Sequence, residues 1–130
     1  PLDPKLDAIG WYGGNSSVSY TGGYDCSGWF TGSTTCGTQP VGGKLANAFG
    51  LYDMSGNVWE WSYDWYQESY PTGSETTPVI DPYGPGSGSY RVARGGSWVC
   101  DSQDCRSAAR DTDTPASRDG SRGFRLARTK

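Results

Sequence analysis

The 130-residue chain has 14% aromatic residues and fits one ordered domain built around a few large rings, which excludes a disordered segment. Twenty Gly and eight Pro exclude a fold of long helices, and no apolar run is long enough to span a membrane. The net charge of −3 is unevenly distributed, because nine basic and five acidic residues lie in 91–130. The arginines of this part are spaced singly and interleaved with aspartates, which indicates ion pairs within the domain and argues against a nucleic-acid partner.

The first half of the chain predicts short extended pieces separated by loops. Residues 1–25 are expected to enter as extended chain, with strand-like stretches at 10–12 and 18–20. Residues 26–40 are expected to form a loop that begins at Cys26 and contains Cys36, with Gly, Ser and Thr between the two cysteines. Residues 46–54 are apolar but interrupted by a glycine, which predicts an irregular buried segment or a single turn.

The second half is dominated by one aromatic strand. In residues 57–66, Trp59, Trp61, Tyr63 and Trp65 alternate with other residues, which predicts a strand with one aromatic face buried. The remaining predicted elements are a surface loop, a short strand, a core-entering element and a closing strand, at 67–89, 90–94, 105–110 and 123–128. No repeat or linker divides the chain, so residues 1–130 are expected to form a single domain.

Four cysteines carry the compartment prediction. An even count in a small, loop-rich chain favours disulfides and an oxidising environment, hence an extracellular or cell-surface location. Cys26 and Cys36 bracket a loop of Gly, Ser and Thr and are predicted to form a local disulfide. The chain has no His and no Cys-x-x-Cys pair, which argues against structural zinc and excludes catalysis by a histidine base.

Four separated motifs, in this order and spacing, resemble the sulfatase-modifying-factor (formylglycine-generating-enzyme-like) family. They are Asn47-Ala-Phe-Gly-Leu-Tyr-Asp-Met-Ser-Gly-Asn-Val-Trp-Glu-Trp61, Arg91-Val-Ala-Arg-Gly-Gly-Ser-Trp98, Cys105-Arg-Ser-Ala108 and Gly123-Phe-Arg-Leu126. The resemblance implies an α+β, C-type-lectin-like fold of small twisted antiparallel sheets with much irregular loop. Family domains usually have a longer N-terminal part, so this chain is expected to be a trimmed fragment or a minimal version.

One function implied by the resemblance is enzymatic. Members of this kind are copper-dependent oxidases that convert a sulfatase cysteine to formylglycine, and by position Cys100 and Cys105 match their copper-binding cysteines while Ser97 matches an active-site serine. Soft thiolates suit Cu(I). The chain departs from the enzymes after Cys105, because only Arg106-Ser107 stands where they carry a longer aromatic and Arg-rich stretch. Cys105-Arg-Ser-Ala108 looks instead like the sequence common in non-catalytic members, where this cysteine belongs to the scaffold, buried and free or bridged to Cys100.

The other implied function is binding. The variable proteins of diversity-generating retroelements use this scaffold to present a changeable surface, and the segment 98–121 resembles theirs: small polar residues stand between a frame of Trp, Cys, Arg, Pro, Gly and Phe. Such residues give an adaptable hydrogen-bonding surface. The predicted ligand-binding residues are Trp98, Val99, Cys100, Asp101, Asp104, Ala109, Asp111, Thr112, Asp113, Thr114, Ser117, Asp119, Gly120 and Ser121. The expected partner is a protein or a cell-surface ligand; a third interpretation is a structural domain of a larger surface protein.

A structural calcium ion is the remaining cofactor prediction. Family members bind Ca²⁺ around the Gly-Asn-Val-Trp-Glu motif, where Asn57, the Val58 carbonyl and Glu60 supply oxygens suited to a hard cation. The alternative is that Asn57 holds a turn while Glu60 pairs with an arginine from the C-terminal segment. Copper is expected only if the oxidase interpretation holds.

Overall fold

A computed structural model describes residues 3–28, 34–70, 73, 76–80 and 84–127. This part of the chain contains one short α-helix, α1, at Pro4–Ile9, and a 3₁₀ turn at Ser102–Cys105. Its strands are β1 Gly10–Trp11, β2 Tyr24–Asp25, β3 Thr35–Cys36, β4 Ser55–Gly56, β5 Trp59–Trp65, β6 Arg91–Arg94, β7 Asp111–Asp113 and β8 Arg122–Gly123. Short elements joined by long irregular stretches are what the glycine and proline content predicts.

Helix α1 corrects the expectation of an extended entry. The Asp3 side chain accepts hydrogen bonds from the backbone nitrogens of Lys5 (3.0 Å) and Leu6 (3.2 Å), so it caps the helix, and Pro4 begins it. Proline at the first helical position and aspartate at the cap are both favourable. Leu6 is buried with Tyr12, which fixes the helix on the domain.

The main sheet has four strands in the order β7-β6-β5-β8. Strands β5 and β6 pair antiparallel, as do β6 and β7, whereas β5 and β8 pair parallel. Two smaller sheets pair β1 with β4 in parallel and β2 with β3 antiparallel. The α+β class with small sheets and little helix is confirmed, but the sheets are mixed and not purely antiparallel.

Strand β5 confirms the predicted aromatic strand and corrects its burial. Trp59 is 7% exposed, whereas Tyr63 is 87% exposed. The pairing of β5 with β6 shifts register between Trp61 and Trp65, and such an irregularity breaks the alternation of faces. The aromatic row is therefore buried at its start and open to solvent further along the strand.

Residues 46–54 are irregular as predicted but lie mostly at the surface, so the expectation of burial was wrong. Phe49 is 88% exposed, and Leu51 and Met54 are 46% and 43% exposed. The Asn47 side chain accepts hydrogen bonds from the backbone nitrogens of Phe49 (2.9 Å) and Leu51 (3.0 Å). A polar side chain, and not burial of the apolar ones, holds this turn.

Two other predicted strands are reduced in the structure. The stretch 18–20 is not a strand, and only Ser17 forms an isolated bridge to Cys36. The closing strand shortens to β8, and the described residues after it are irregular.

Three clusters of buried residues form the described core, and each takes one member from the segment 98–109. The clusters are Leu6, Tyr12 and Cys105; Cys26, Cys36 and Trp98; and Trp59, Ala93 and Ala109. The C-terminal segment is therefore fixed to the core at three points, and the residues between those points are half-buried or exposed.

Candidate functional site

The segment 98–121 is introduced by a glycine turn directly after β6. Gly95 and Gly96 have φ angles of 96° and 76°, which disfavour any residue with a side chain. A Cβ added at Gly96 would lie 2.5 Å from Cys105 Sγ and 2.9 Å from Cys105 Cα, whereas one at Gly95 would meet only Met54 O at 3.6 Å. Gly96 therefore lets Cys105 pack beneath the turn.

The beginning of the segment is held through its main chain. Trp98 N donates to Asn57 O at 2.9 Å, and the buried Ser16 hydroxyl donates to Trp98 O at 2.7 Å. The Cys100 carbonyl accepts from Gly13 N at 2.9 Å. These bonds require no particular side chain at positions 99–101.

The middle and end of the segment are held in the same way. Arg94, on β6, donates to the carbonyl oxygens of Ser107 (3.1 Å) and Ala109 (3.4 Å). Trp59 N donates to Ser121 O at 2.8 Å, and β7 pairs with β6 through its backbone. Donors from the rest of the domain thus bind carbonyls of the segment, and few of its side chains form hydrogen bonds to residues outside the segment.

Two aspartates of β7 are an exception. Arg122, on β8, forms ion pairs with Asp111 (2.7 Å) and Asp113 (3.3 Å), and its guanidinium lies over the Trp61 ring at 5.3 Å from the centroid. The Arg122 side chain is 13% exposed. Because β7 and β8 are the two edges of the sheet, this arginine links them across its face.

One subset of the predicted residues gathers around a concavity of about 190 Å³. It is lined by Trp98, Val99, Asp119 and Ser121, together with Tyr24 from β2. The Tyr24 and Trp98 ring centroids lie 4.9 Å apart, and Trp98 Nε1 donates to Gly120 O at 3.1 Å. The start and the end of the segment therefore meet on one aromatic platform.

The predicted binding residues differ in how much surface they offer. Trp98 and Ala109 are 4% and 7% exposed and belong to the core, so they give a ligand little side-chain surface. The exposed members are Asp101, Thr114, Asp119 and Gly120. The half-buried members are Val99, Cys100, Asp104, Asp111, Thr112, Asp113, Ser117 and Ser121.

The two cysteines proposed for copper differ in accessibility. Both are free thiols; Cys100 is half-buried, and its sulfur lies 3.2 Å from the Ser97 hydroxyl. Cys105 is 3% exposed against Leu6 and Tyr12, and burial raises the pKa of its thiol to about 12. A neutral, buried thiol is a poor fit to Cu(I), which binds thiolates.

The oxygens proposed for calcium have protein partners. The Asn57 side chain accepts from Gln39 N at 3.0 Å and donates to Gln39 O at 3.1 Å, so it joins two distant segments and is not free for a metal ion. Both Glu60 oxygens accept from Arg125, at 2.7 to 3.1 Å. In this arrangement these residues do not fit a calcium ion, which takes six to eight oxygen ligands. The calcium site at Asn57, Val58 and Glu60 stays a prediction.

Cys26 and Cys36 lie side by side as free thiols under the concavity. Both are buried with Trp98, and burial together with a hydrogen bond to Cys26 raises the pKa of the Cys36 thiol to about 12. Their contact is compatible with the predicted disulfide, which stays a prediction. Within the described ranges, no group of three or more Asp, Glu or Cys side chains is placed to hold a metal ion.

Sequence reasoning missed Tyr24 and Arg122 as parts of this surface. Tyr24 lies far from 98–121 in the chain, and no local pattern connects it to Trp98. Arg122 was assigned only generally to ion pairs, although its position shortly after Asp111, Asp113 and Asp119 was a usable signal. Pairing of distant strands, which sequence spacing does not give, brings both residues to the site.

The family comparison agrees with this architecture. The sulfatase-modifying factor enzyme 1-like domain matches residues 8–130. The chain belongs to the sulfatase-modifying-factor family. It is 46% identical to the formylglycine-generating enzyme of Streptomyces coelicolor over 93 aligned residues, and the alignment covers 69% of this chain and 29% of that protein. Over 91 residues it is 42% identical to the serine/threonine-protein kinase Pkn1 of Chlamydia trachomatis, covering 70% of this chain and 15% of that protein.

A solved structure confirms the other part of the resemblance. Treponema denticola variable protein 1 superposes with a TM-score of 0.70 at 35% identity, over 95% of this chain and 37% of that one. The C-type-lectin-like fold and the resemblance to retroelement variable proteins are thereby confirmed. The chain spans less than two fifths of each of these relatives. Over the described residues, no helix is both long and apolar enough to cross a bilayer.

Proposed function

We propose that this domain displays a ligand-binding surface of the retroelement variable-protein kind, formed by the outward-facing side chains of 98–121. The observation that carries the proposal is the main-chain anchoring of this segment by Ser16, Gly13, Trp59 and Arg94. Because these contacts end on backbone atoms, side chains between them are free to change without loss of the fold.

The chemistry of the surface favours a protein or cell-surface ligand. Short hydroxyl and carboxylate side chains form an adaptable polar area, and the half-exposed Tyr24 ring supplies the aromatic anchor that the segment itself lacks. The concavity of about 190 Å³ is smaller than the 300 to 1,000 Å³ usual for small-molecule pockets. A polar surface with a concavity this small suits a macromolecule better than a metabolite. The same proposal places the domain outside a cell, where such partners are met.

Two randomised libraries test the proposal. The first varies the polar display positions that make no ion pair with Arg122: Asp101, Asp104, Thr112, Thr114, Ser117, Asp119 and Ser121. The matched library varies seven exposed positions elsewhere: Lys5, Ala8, Ser19, Thr21, Thr38, Val41 and Ala48. Both are displayed on yeast and selected against the same panel of purified proteins.

The expected result is that the first library yields folded, target-specific binders at a clearly higher frequency than the matched library. Equal yields would mean that 98–121 has no privileged role. A first library that mostly fails to fold would contradict the main-chain anchoring. Failure of both libraries to bind would favour the purely structural interpretation.

A formylglycine-generating oxidase is the second candidate. It is favoured by the contact between Ser97 and Cys100 and by the identity to enzymes of that name. The burial of Cys105 speaks against it. A count of reactive thiols on the folded chain, with and without Cu(I), separates the oxidase from the display module. The oxidase requires copper to protect both Cys100 and Cys105 from a thiol reagent. The display proposal expects Cys100 alone to react and copper to leave its reaction rate unchanged.

A further inference from the structure

The concavity between Tyr24 and Trp98 has a more specific composition than the rest of the display surface. Tyr24 is 53% exposed, whereas Trp98, on which it packs with an interplanar angle of 36°, is 4% exposed. The accessible aromatic face therefore belongs to Tyr24, a residue outside the segment 98–121. Val99 adds an apolar, half-buried wall.

The charge of this concavity is negative. Among its five lining residues the charged one is Asp119, whose carboxylate accepts hydrogen bonds from the Ser121 backbone nitrogen at 2.7 Å and from the Ser121 hydroxyl. These bonds lower the pKa of Asp119, so it is ionised at neutral pH. The Arg122 guanidinium also acts on Asp119, but it is paired with Asp111 and Asp113 and does not line the concavity.

We propose that this concavity binds the cationic side chain of an arginine or lysine presented by a protein ligand, held between the Tyr24 ring and the Asp119 carboxylate. A cation over an aromatic face and beside a carboxylate gains from both interactions, and Val99 offers apolar surface to the aliphatic stem. This inference rests on the proposed display function and names the chemistry that the present surface selects.

Gly120 controls the opening of the concavity. A Cβ added at Gly120 would overlap the Tyr24 hydroxyl oxygen and lie 3.0 Å from Tyr24 Cζ. Any larger residue at this position must displace the Tyr24 ring from its place beside Trp98. The residue at 120, itself within the segment 98–121, therefore sets whether the aromatic face is available.

The test is a titration of the ¹⁵N-labelled 130-residue chain with a capped pentapeptide, acetyl-Gly-Ser-Arg-Ser-Gly-amide. The matched probe carries citrulline, the uncharged isostere of arginine, at the same position. Binding is measured from saturable shifts of the Trp98 indole N–H and of the Gly120 and Ser121 amides. We expect these shifts with the arginine peptide and at least about tenfold weaker binding of the citrulline peptide.

Variants locate the contact. Asp119→Asn and Gly120→Ala are each expected to weaken the arginine peptide about tenfold, while Tyr24→Phe keeps its affinity. Asp25→Asn is the matched control, because Asp25 accepts the same pair of hydrogen bonds from Ser27 but does not line the concavity. It is expected to keep the affinity within about twofold.

Equal affinity for the arginine and citrulline peptides, or unchanged affinity in Asp119→Asn, would overturn the inference. So would shifts elsewhere on the domain with none at Trp98 or Gly120. Failure here is distinct from failure of the display proposal: binders recovered from the display library alongside an inert arginine peptide would remove only the cationic ligand. An arginine peptide that binds through Asp119 while both libraries fail would remove only the variable surface.

Discussion

Substituting the two glycines that introduce the segment separates packing from backbone strain. Gly95 and Gly96 both have positive φ, so alanine at either position is strained by about 1 to 2 kcal/mol. Only at Gly96 does the new Cβ meet Cys105, at 2.5 Å from its sulfur and 2.9 Å from its Cα. Forcing a methyl group into such a packed place adds about 2 kcal/mol.

The expected losses in the free energy of unfolding are therefore about 1 to 2 kcal/mol for Gly95→Ala and about 3 to 4 kcal/mol for Gly96→Ala. Urea denaturation followed by tryptophan fluorescence measures both, with equal m-values required for the comparison. Cys105→Ala in the Gly96→Ala background removes the sulfur and should recover part of the difference. Losses within about 0.5 kcal/mol of each other would refute the packing of Cys105 under this turn.

Three further predictions concern the same surface. Arg122→Met should destabilise the domain by about 1 kcal/mol in urea denaturation, because the Arg122–Asp111 pair is only partly buried, and the loss should be much smaller in an Asp111→Asn background. Hydrogen bonds from Ser121 lower the pKa of Asp119 below 3.8 in the folded state. Ionised Asp119 therefore stabilises the fold fully above its unfolded-state pKa, and this contribution is lost as the pH falls through its folded-state pKa. The difference in the free energy of unfolding between the parent and Asp119→Asn should close between about pH 5 and pH 2, and a pH-independent difference would contradict this. Oxidation should join Cys26 to Cys36 and raise the free energy of unfolding by about 2 to 3 kcal/mol, which thermal unfolding with and without reductant checks; an oxidised chain of unchanged stability would speak against the pairing.

The sequence predicted those parts of the fold that local patterns determine. Alternation in 57–66 gave β5, and the Gly95-Gly96 turn marked the entry to the binding segment. The helix α1 was missed because its six residues contain too few turns for a helical period, and its signal is the cap formed by Asp3 and Pro4. The exposure of Tyr63 follows from a register shift, which depends on the partner strand and leaves no mark in the alternation itself.

The candidate site was predictable as a segment but not as a surface. Small polar residues between frame residues identified 98–121, yet the list included Ala109, which lies in the core beside Trp59. Alanine is equally compatible with a small display position and a tight core contact, so its chemistry alone does not distinguish them. The contributions of Tyr24 and Arg122 depend on strand pairing across the domain, which only the structure supplies.

The central claim is that hydrogen bonds from Gly13, Ser16, Trp59 and Arg94 to backbone carbonyls hold the segment 98–121. Its outward side chains are then dispensable for folding. Its most direct test is the free energy of unfolding of one variant that combines Asp101→Ser, Asp104→Ser, Thr112→Ser and Thr114→Ser. The account predicts a free energy of unfolding within about 1 kcal/mol of the parent, because none of these four side chains forms an ion pair with the rest of the domain. A loss of more than about 3 kcal/mol would show that these side chains hold the fold, and would contradict the account.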